Sequence, residues 1–160
     1  MRFCYMELAE SDIRQTIKIR DMAEINQYRK ELRDKIIAYA MREFHQRGVK
    51  AVKMDEISRG LRVSKRTVYE IFGDKEELLL AGMKIERAEY KARVEEYALA
   101  HARNVMDVIG YIYRLQMERN QQVGVVFYEE IHRMPRILEF LKEEHDKEYD
   151  DSMRFFQAGV

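Results

Sequence analysis

Residues 54–72 read MDEISRGLRVSKRTVYEIF. Ile57 and Leu61 stand four apart, which predicts a short helix over about Met54–Leu61 with one apolar side. The pattern breaks at Arg62, Val63 and Ser64. Ser64 is a good N-cap, because its hydroxyl can accept from a free first-turn N–H. A second helix follows over about Lys65–Phe72, with Val68, Ile71 and Phe72 on its inner face, and Gly73 ends it. Two short helices joined by three residues, the second opening on Lys65 and Arg66, suit a helix-turn-helix.

Upstream, Leu32, Ile36, Ile37, Ala40 and Phe44 recur at spacings of three and four, which predicts a helix from about Glu24 to Arg47 with one buried stripe. Gly48 closes it, since glycine takes the left-handed position after a helix without steric cost. Residues 1–21 carry only weak periodicity and are expected to form a loosely attached extension. Downstream, Asp74 is a second N-cap, and Glu77 three residues later makes a pair like a capping box. A long helix should run from there to about Ala100. Further helices are expected at about Val105–Arg119, Val123–His132 and Pro135–Phe156, with Pro135 at a position where its missing N–H costs nothing. The chain is therefore expected to be all-α: three short helices, a long fourth helix, then at least three more. The expected divisions are 1–21, 22–73 and 74–160.

Composition agrees with that class. Charged residues at 36% with one Pro and seven Gly favour helices over the turn-rich all-β folds. No apolar run approaches the ~20 residues of a membrane span, and the N-terminus shows no apolar signal-peptide core. A single cysteine, Cys4, excludes a disulfide framework within the chain and a paired-cysteine metal site, so a reducing cytoplasm is the expected location.

The 29 basic and 29 acidic residues cancel, which taken alone argues against a nucleic-acid partner. Their placement argues otherwise. Residues 1–31 are neutral, residues 32–73 hold ten basic and five acidic side chains, and residues 74–160 hold thirteen basic and eighteen acidic. A +5 segment centred on the helix-turn-helix is thus set against a −5 remainder, an asymmetry that hints at nucleic-acid contact by one part. The second helix must fit a DNA major groove with its first residues reaching bases and phosphates, and Ser64, Lys65, Arg66 and Thr67 lie there. Free N–H groups and the positive helix end favour phosphate at the same place. Tyr69, two residues past Thr67, can point outward to a phosphate.

From Arg47 and Gly48 to Met83 the chain resembles the DNA-binding domain of TetR-type (TetR/AcrR) bacterial transcriptional regulators. The resemblance rests on Met54–Ile57, on Val63–Phe72 with Thr67, Tyr69 and Phe72 in register, and on Gly73–Leu79. It implies that Lys65, Arg66, Thr67 and Tyr69 face DNA, with Arg66 and Thr67 at base edges, and that Ser64 caps and can touch a phosphate. It also implies a phosphate contact for Lys75, and Lys53 stands where it could reach another. Two positions depart from the family pattern. Leu61 and Arg62 stand where a small residue or Gly is common, so a left-handed Arg62 would cost about 1 kcal/mol. Lys53 stands where Ser or Thr usually caps, a loss of about 1 kcal/mol.

The resemblance further implies a homodimer on a pseudo-palindromic double-stranded operator and a small-molecule effector in the C-terminal helices. No cofactor is implied. Tyr90, Tyr97, Met106, Tyr113, Met117 and Phe127 are candidates for lining an effector pocket, although Met and aromatic residues at helical spacing are more often core. Family members are commonly longer and dimerise through their last two helices. Here only Pro135–Val160 is left for that role, so either a shortened chain or a different dimer surface is expected.

An enzyme is not expected. Glu129 and His132 have the spacing of one ligand pair of a di-iron bundle, but such a site needs two pairs and two further Glu. No Gly-rich phosphate loop and no nucleophile–base pair stands out. The alternative function is a helical protein–protein module that does not bind DNA.

Overall fold

A computed structural model describes residues 2–157, with side chains at 22 and 24–148. Among the described residues all regular structure is helical: α1 (Arg2–Arg47), α2 (Met54–Gly60), α3 (Lys65–Ile71), α4 (Lys75–Ala100), α5 (Val105–Gln122), α6 (Val125–Ile131) and α7 (Pro135–Gln157). Two compact units divide between Ile36 and Ile37, and the statements on packing below concern the second.

The first helix differs from expectation. It begins at Arg2 rather than near Glu24, so it is not short. Apolar residues such as Phe3, Leu8, Ile13 and Ile17 are present in its first half, but their periodicity is too weak to mark a helix. The expectation that residues 1–21 are loosely attached falls on side chains outside those described. The other boundaries lie within a few residues of those expected, as do the caps. Gly48 adopts φ 83°, and its N–H donates to the Phe44 carbonyl at 2.9 Å. The Asp74 carboxylate accepts from Glu77 N–H at 2.7 Å. Glu77 answers by accepting from Gly73 N–H at 3.0 Å, one residue earlier than a standard capping box.

The helix-turn-helix is built on buried apolar side chains. Ile37, Ala40, Met41 and Phe44 come from α1, Val49 and Val52 from the following loop, Met54 and Ile57 from α2, and Val68 and Phe72 from α3 and its end. Leu78, Leu79 and Met83 add the first turns of α4. A second buried group consists of Leu115, Val123, Phe127, Ile131, Ile137 and Phe140 from α5 to α7. Tyr97 stacks on Tyr111 at 4.1 Å between ring centroids, which ties the end of α4 to α5.

Both departures from the family pattern take the form anticipated. Lys53 makes no side-chain cap to α2. Arg62 sits at φ 55°, the left-handed region that a Cβ disfavours. Arg62→Gly should therefore raise the unfolding free energy by up to about 1 kcal/mol, net of glycine's extra unfolded-state entropy. Urea denaturation measures it, and a loss of stability would show that the arginine side chain contributes more than its backbone costs.

Candidate nucleic-acid interface

The start of α3 is held by its own cap. Ser64 Oγ accepts from Thr67 N–H at 3.0 Å, and the two hydroxyls lie 2.7 Å apart. The ring of Phe72 and the side chain of Val68 are buried, whereas Lys65, Arg66 and Tyr69 are exposed. One face of a short helix is thus locked into the core, and the opposite face presents two cations and a phenol.

Those cations are already paired. Lys65 Nζ lies 2.9 Å from Asp55 Oδ1 on α2 and 5.8 Å from the centroid of the Tyr69 ring. Arg66 Nε lies 2.7 Å from Glu70 Oε1, one turn along α3. Hydrogen bonding to Asp55 and then its charge hold the Lys65 pKa above the ordinary lysine value. Glu70 does the same for Arg66. Pairs as exposed as these contribute little to stability. Their consequence lies in recognition, because a phosphate or base edge must displace a carboxylate to engage either cation. Glu70 was legible as the i+4 neighbour of Arg66. Asp55 was not, because it reaches Lys65 across the turn between two helices.

Lys75 is differently placed from a free surface lysine. Its Nζ donates to the Val49 carbonyl at 2.7 Å and the Val52 carbonyl at 2.9 Å, with the Lys50 carbonyl at 3.5 Å. The first turn of α4 therefore grips the loop that leads into α2. Burial pushes the Lys75 pKa down, against the pull of Glu130 and Glu56. Lys53, Tyr69 and Lys75 nevertheless line one open cleft of about 380 Å³, together with Met54, Asp55 and Asp74. Three residues separated in sequence are brought together there, at the mouth between α2, α3 and α4.

The same loop is gripped from the C-terminal side. Lys50 N–H donates to Glu130 Oε2 of α6 at 2.8 Å. Gly124 N–H, at the start of α6, donates to the His45 carbonyl at 2.8 Å. The His45 ring meets Phe127 edge-on at 4.7 Å, and its Nε2 lies 3.3 Å from Glu86. Arg119 Nη2 donates to the other Glu86 oxygen at 3.1 Å. None of these pairings was legible in the sequence, since the partners come from helices far apart in the chain.

The pocket candidates are dispersed. Tyr90 lines a cavity of about 270 Å³ with His45, Glu86, Arg93 and Arg119 among its walls. Tyr97 stacks on Tyr111, and Phe127 is fully buried. Met106, Tyr113 and Met117 are exposed on α5. The six do not share that cavity, because helical spacing shows which residues share a face but not whether that face turns inward. His132 caps the end of α6, with Nδ1 2.7 Å from the Tyr128 carbonyl. Among the described residues no helix is long and apolar enough to cross a membrane.

Comparison with curated proteins and with solved structures gives no match. Comparison with family models gives one: residues 36–81 match the model described as bacterial regulatory proteins, tetR family. The matched span runs from the last turns of α1 to the first turns of α4, and so contains the whole helix-turn-helix and the cleft beside it. The capped helix with its cations outward thus lies in a segment, residues 36–81, that is similar to the DNA-binding part of bacterial regulatory proteins of the tetR family.

Proposed function

We propose that the chain is a sequence-specific repressor that binds a pseudo-palindromic operator as a homodimer and is released by a small ligand. The observation that carries the reading is α3 itself: Lys65, Arg66 and Tyr69 project from a helix whose other face is fixed by Val68 and Phe72. In this reading Arg66 and Thr67 meet base edges. Ser64, Lys65, Tyr69, Lys53 and Lys75 meet the phosphate backbone, which positions the protein without specifying sequence. Two recognition helices related by a two-fold enter successive major grooves about 34–36 Å apart.

Release needs a ligand that binds one conformation better than the other. The cavity beside Tyr90 suits that role, because His45 in its wall belongs to α1 and Glu86, Arg93 and Arg119 to α4 and α5. A ligand that moved these helices would bear on the loop held by Glu130 and Lys75. We assign the protein to the cytoplasm on the same reading.

Unbiased selection of bound DNA tests the whole proposal, with two half-sites at the two-fold spacing as the expected result. Arg66→Ala should then cost about 1–3 kcal/mol of operator binding and relax selection at one base position. Uniform weakening over all positions would move Arg66 to the phosphate group. Absence of any DNA binding at low salt by folded protein would favour the protein–protein module.

A further inference from the structure

The centre of the outward face of α3 is occupied by an acid. Val68 and Phe72 are the side chains that anchor this helix in the core. Glu70 stands two positions from each, and so about 160° round the axis from both. No other residue of α3 is turned so squarely away from the core. The Glu70 side chain is 54% exposed, and its carboxylate meets Arg66 Nε at 2.7 Å. Arg66 and Thr67 are its nearest neighbours around the axis, whereas Lys65 and Tyr69 lie on one flank, beside Asp55 and the cleft lined by Lys53 and Lys75. Helix stability gives no reason for a carboxylate at this place. Glu70 is the last residue but one of α3, where the negative end of the helix dipole disfavours an acid. Its pair with Arg66 has the cation nearer the helix start, the weaker of the two orientations. Phosphates would repel it. An acid that helps neither the helix nor a phosphate contact needs a donor of another kind.

We infer that Glu70 selects a cytosine in each operator half-site, accepting from its N4 amino group beside the base that Arg66 reads. The inference rests on the operator binding proposed above, with α3 in the major groove and the middle of its outward face on the groove floor. The floor carries base edges and the rims carry phosphates, so Glu70 meets bases while Lys65 and Tyr69 meet the backbone. In that groove cytosine presents an amino donor without an acceptor of its own. Adenine sets the N7 acceptor beside its N6 donor, and guanine and thymine offer acceptors only. A carboxylate is therefore matched by cytosine. In the free protein the carboxylate stays on Arg66. On the operator, guanine O6 and N7 take the guanidinium and the cytosine amino group takes the carboxylate, so both members of the pair are satisfied when they part. On other sequences the pair must either open with Glu70 unmatched or stay closed with Arg66 occupied. Glu70 thus raises discrimination and lowers general affinity.

Selection of bound DNA by the full chain and by its Glu70→Gln and Glu70→Ala variants tests the assignment. The wild type should require cytosine at one position of each half-site, and any other base there should weaken binding roughly tenfold or more. Glu70→Gln should move the preference at that same position to adenine, whose N6 and N7 a glutamine amide meets together. Glu70→Ala should lose the preference there and keep it elsewhere. Both variants should bind a mixed-sequence duplex at low salt several-fold more tightly than the wild type, because a charge that repels phosphate is gone. Circular dichroism should show the fold retained in both, since the side chain is exposed. An acid that served only the helix surface would change affinity for all sequences alike and leave every base preference as it was, and that result overturns the inference. So does a Glu70→Gln variant that still selects cytosine. A wild type that binds no DNA removes the operator reading and this inference with it, whereas operator binding with unaltered preferences removes this inference alone.

Discussion

Phe72→Ala should lower the unfolding free energy by about 3–5 kcal/mol and abolish operator binding wherever that loss exceeds the remaining stability. Phe72 is 1% exposed at the end of α3, and its N–H donates to the Val68 carbonyl at 2.9 Å. Removing the ring leaves a cavity beneath the helix that carries Lys65 and Arg66, and a short helix cannot keep its place without a buried anchor. Phe72→Leu roughly conserves volume and should cost less than about 1.5 kcal/mol, with binding retained. An aromatic residue beside a nucleic-acid surface can also stack on bases. That role would reverse the pattern, since Phe72→Ala would then leave denaturation unchanged and weaken DNA alone. Chemical denaturation and a gel shift on the same samples distinguish the two.

Lys75→Met is the second large expected effect, and it has two readouts. The ammonium satisfies the carbonyls of Val49 and Val52 at 2.7 and 2.9 Å, and methionine keeps the apolar stem but no donor. Leaving these partly buried acceptors without their donor should cost about 1–3 kcal/mol of stability. An ammonium has three N–H donors, and the third meets the Lys50 carbonyl only at 3.5 Å, a long bond that a phosphate in the cleft shared with Lys53 and Tyr69 could replace. On that basis the plot of log affinity against log salt should lose about 0.9 from its slope, the share of one phosphate contact. A stability loss with an unchanged slope would confine Lys75 to holding the loop. A reduced slope with unchanged stability would refute the tie to Val49 and Val52.

Much of this was legible before any coordinates. The stripe of Ile37, Ala40 and Phe44 placed the buried side of α1, and Ser64 and Asp74 fixed two helix starts as caps. Gly48 took the left-handed conformation that closes a helix, and Arg62 took the one that the family pattern at its position implied. These are local features, set by side chains within one or two turns, and local physics is what a linear chain displays. The start of α1 was not legible, because apolar residues at weak periodicity show neither helix nor loop.

Charge placement had already separated a basic helix-turn-helix from an acidic remainder and so pointed to DNA. It could not show that Lys65 is paired with Asp55, that Lys75 holds a loop, or that Glu130 reaches that loop from 80 residues away in the chain. Nor could periodicity say which side of α5 faces in. Sequence by itself determined the helices, their caps and the residues on the outward face of α3, because each depends on near neighbours. Tertiary structure alone decided which charges are already paired, which aromatic residues line a cavity and which apolar row is left bare. Those outcomes depend on groups brought together only when distant helices pack.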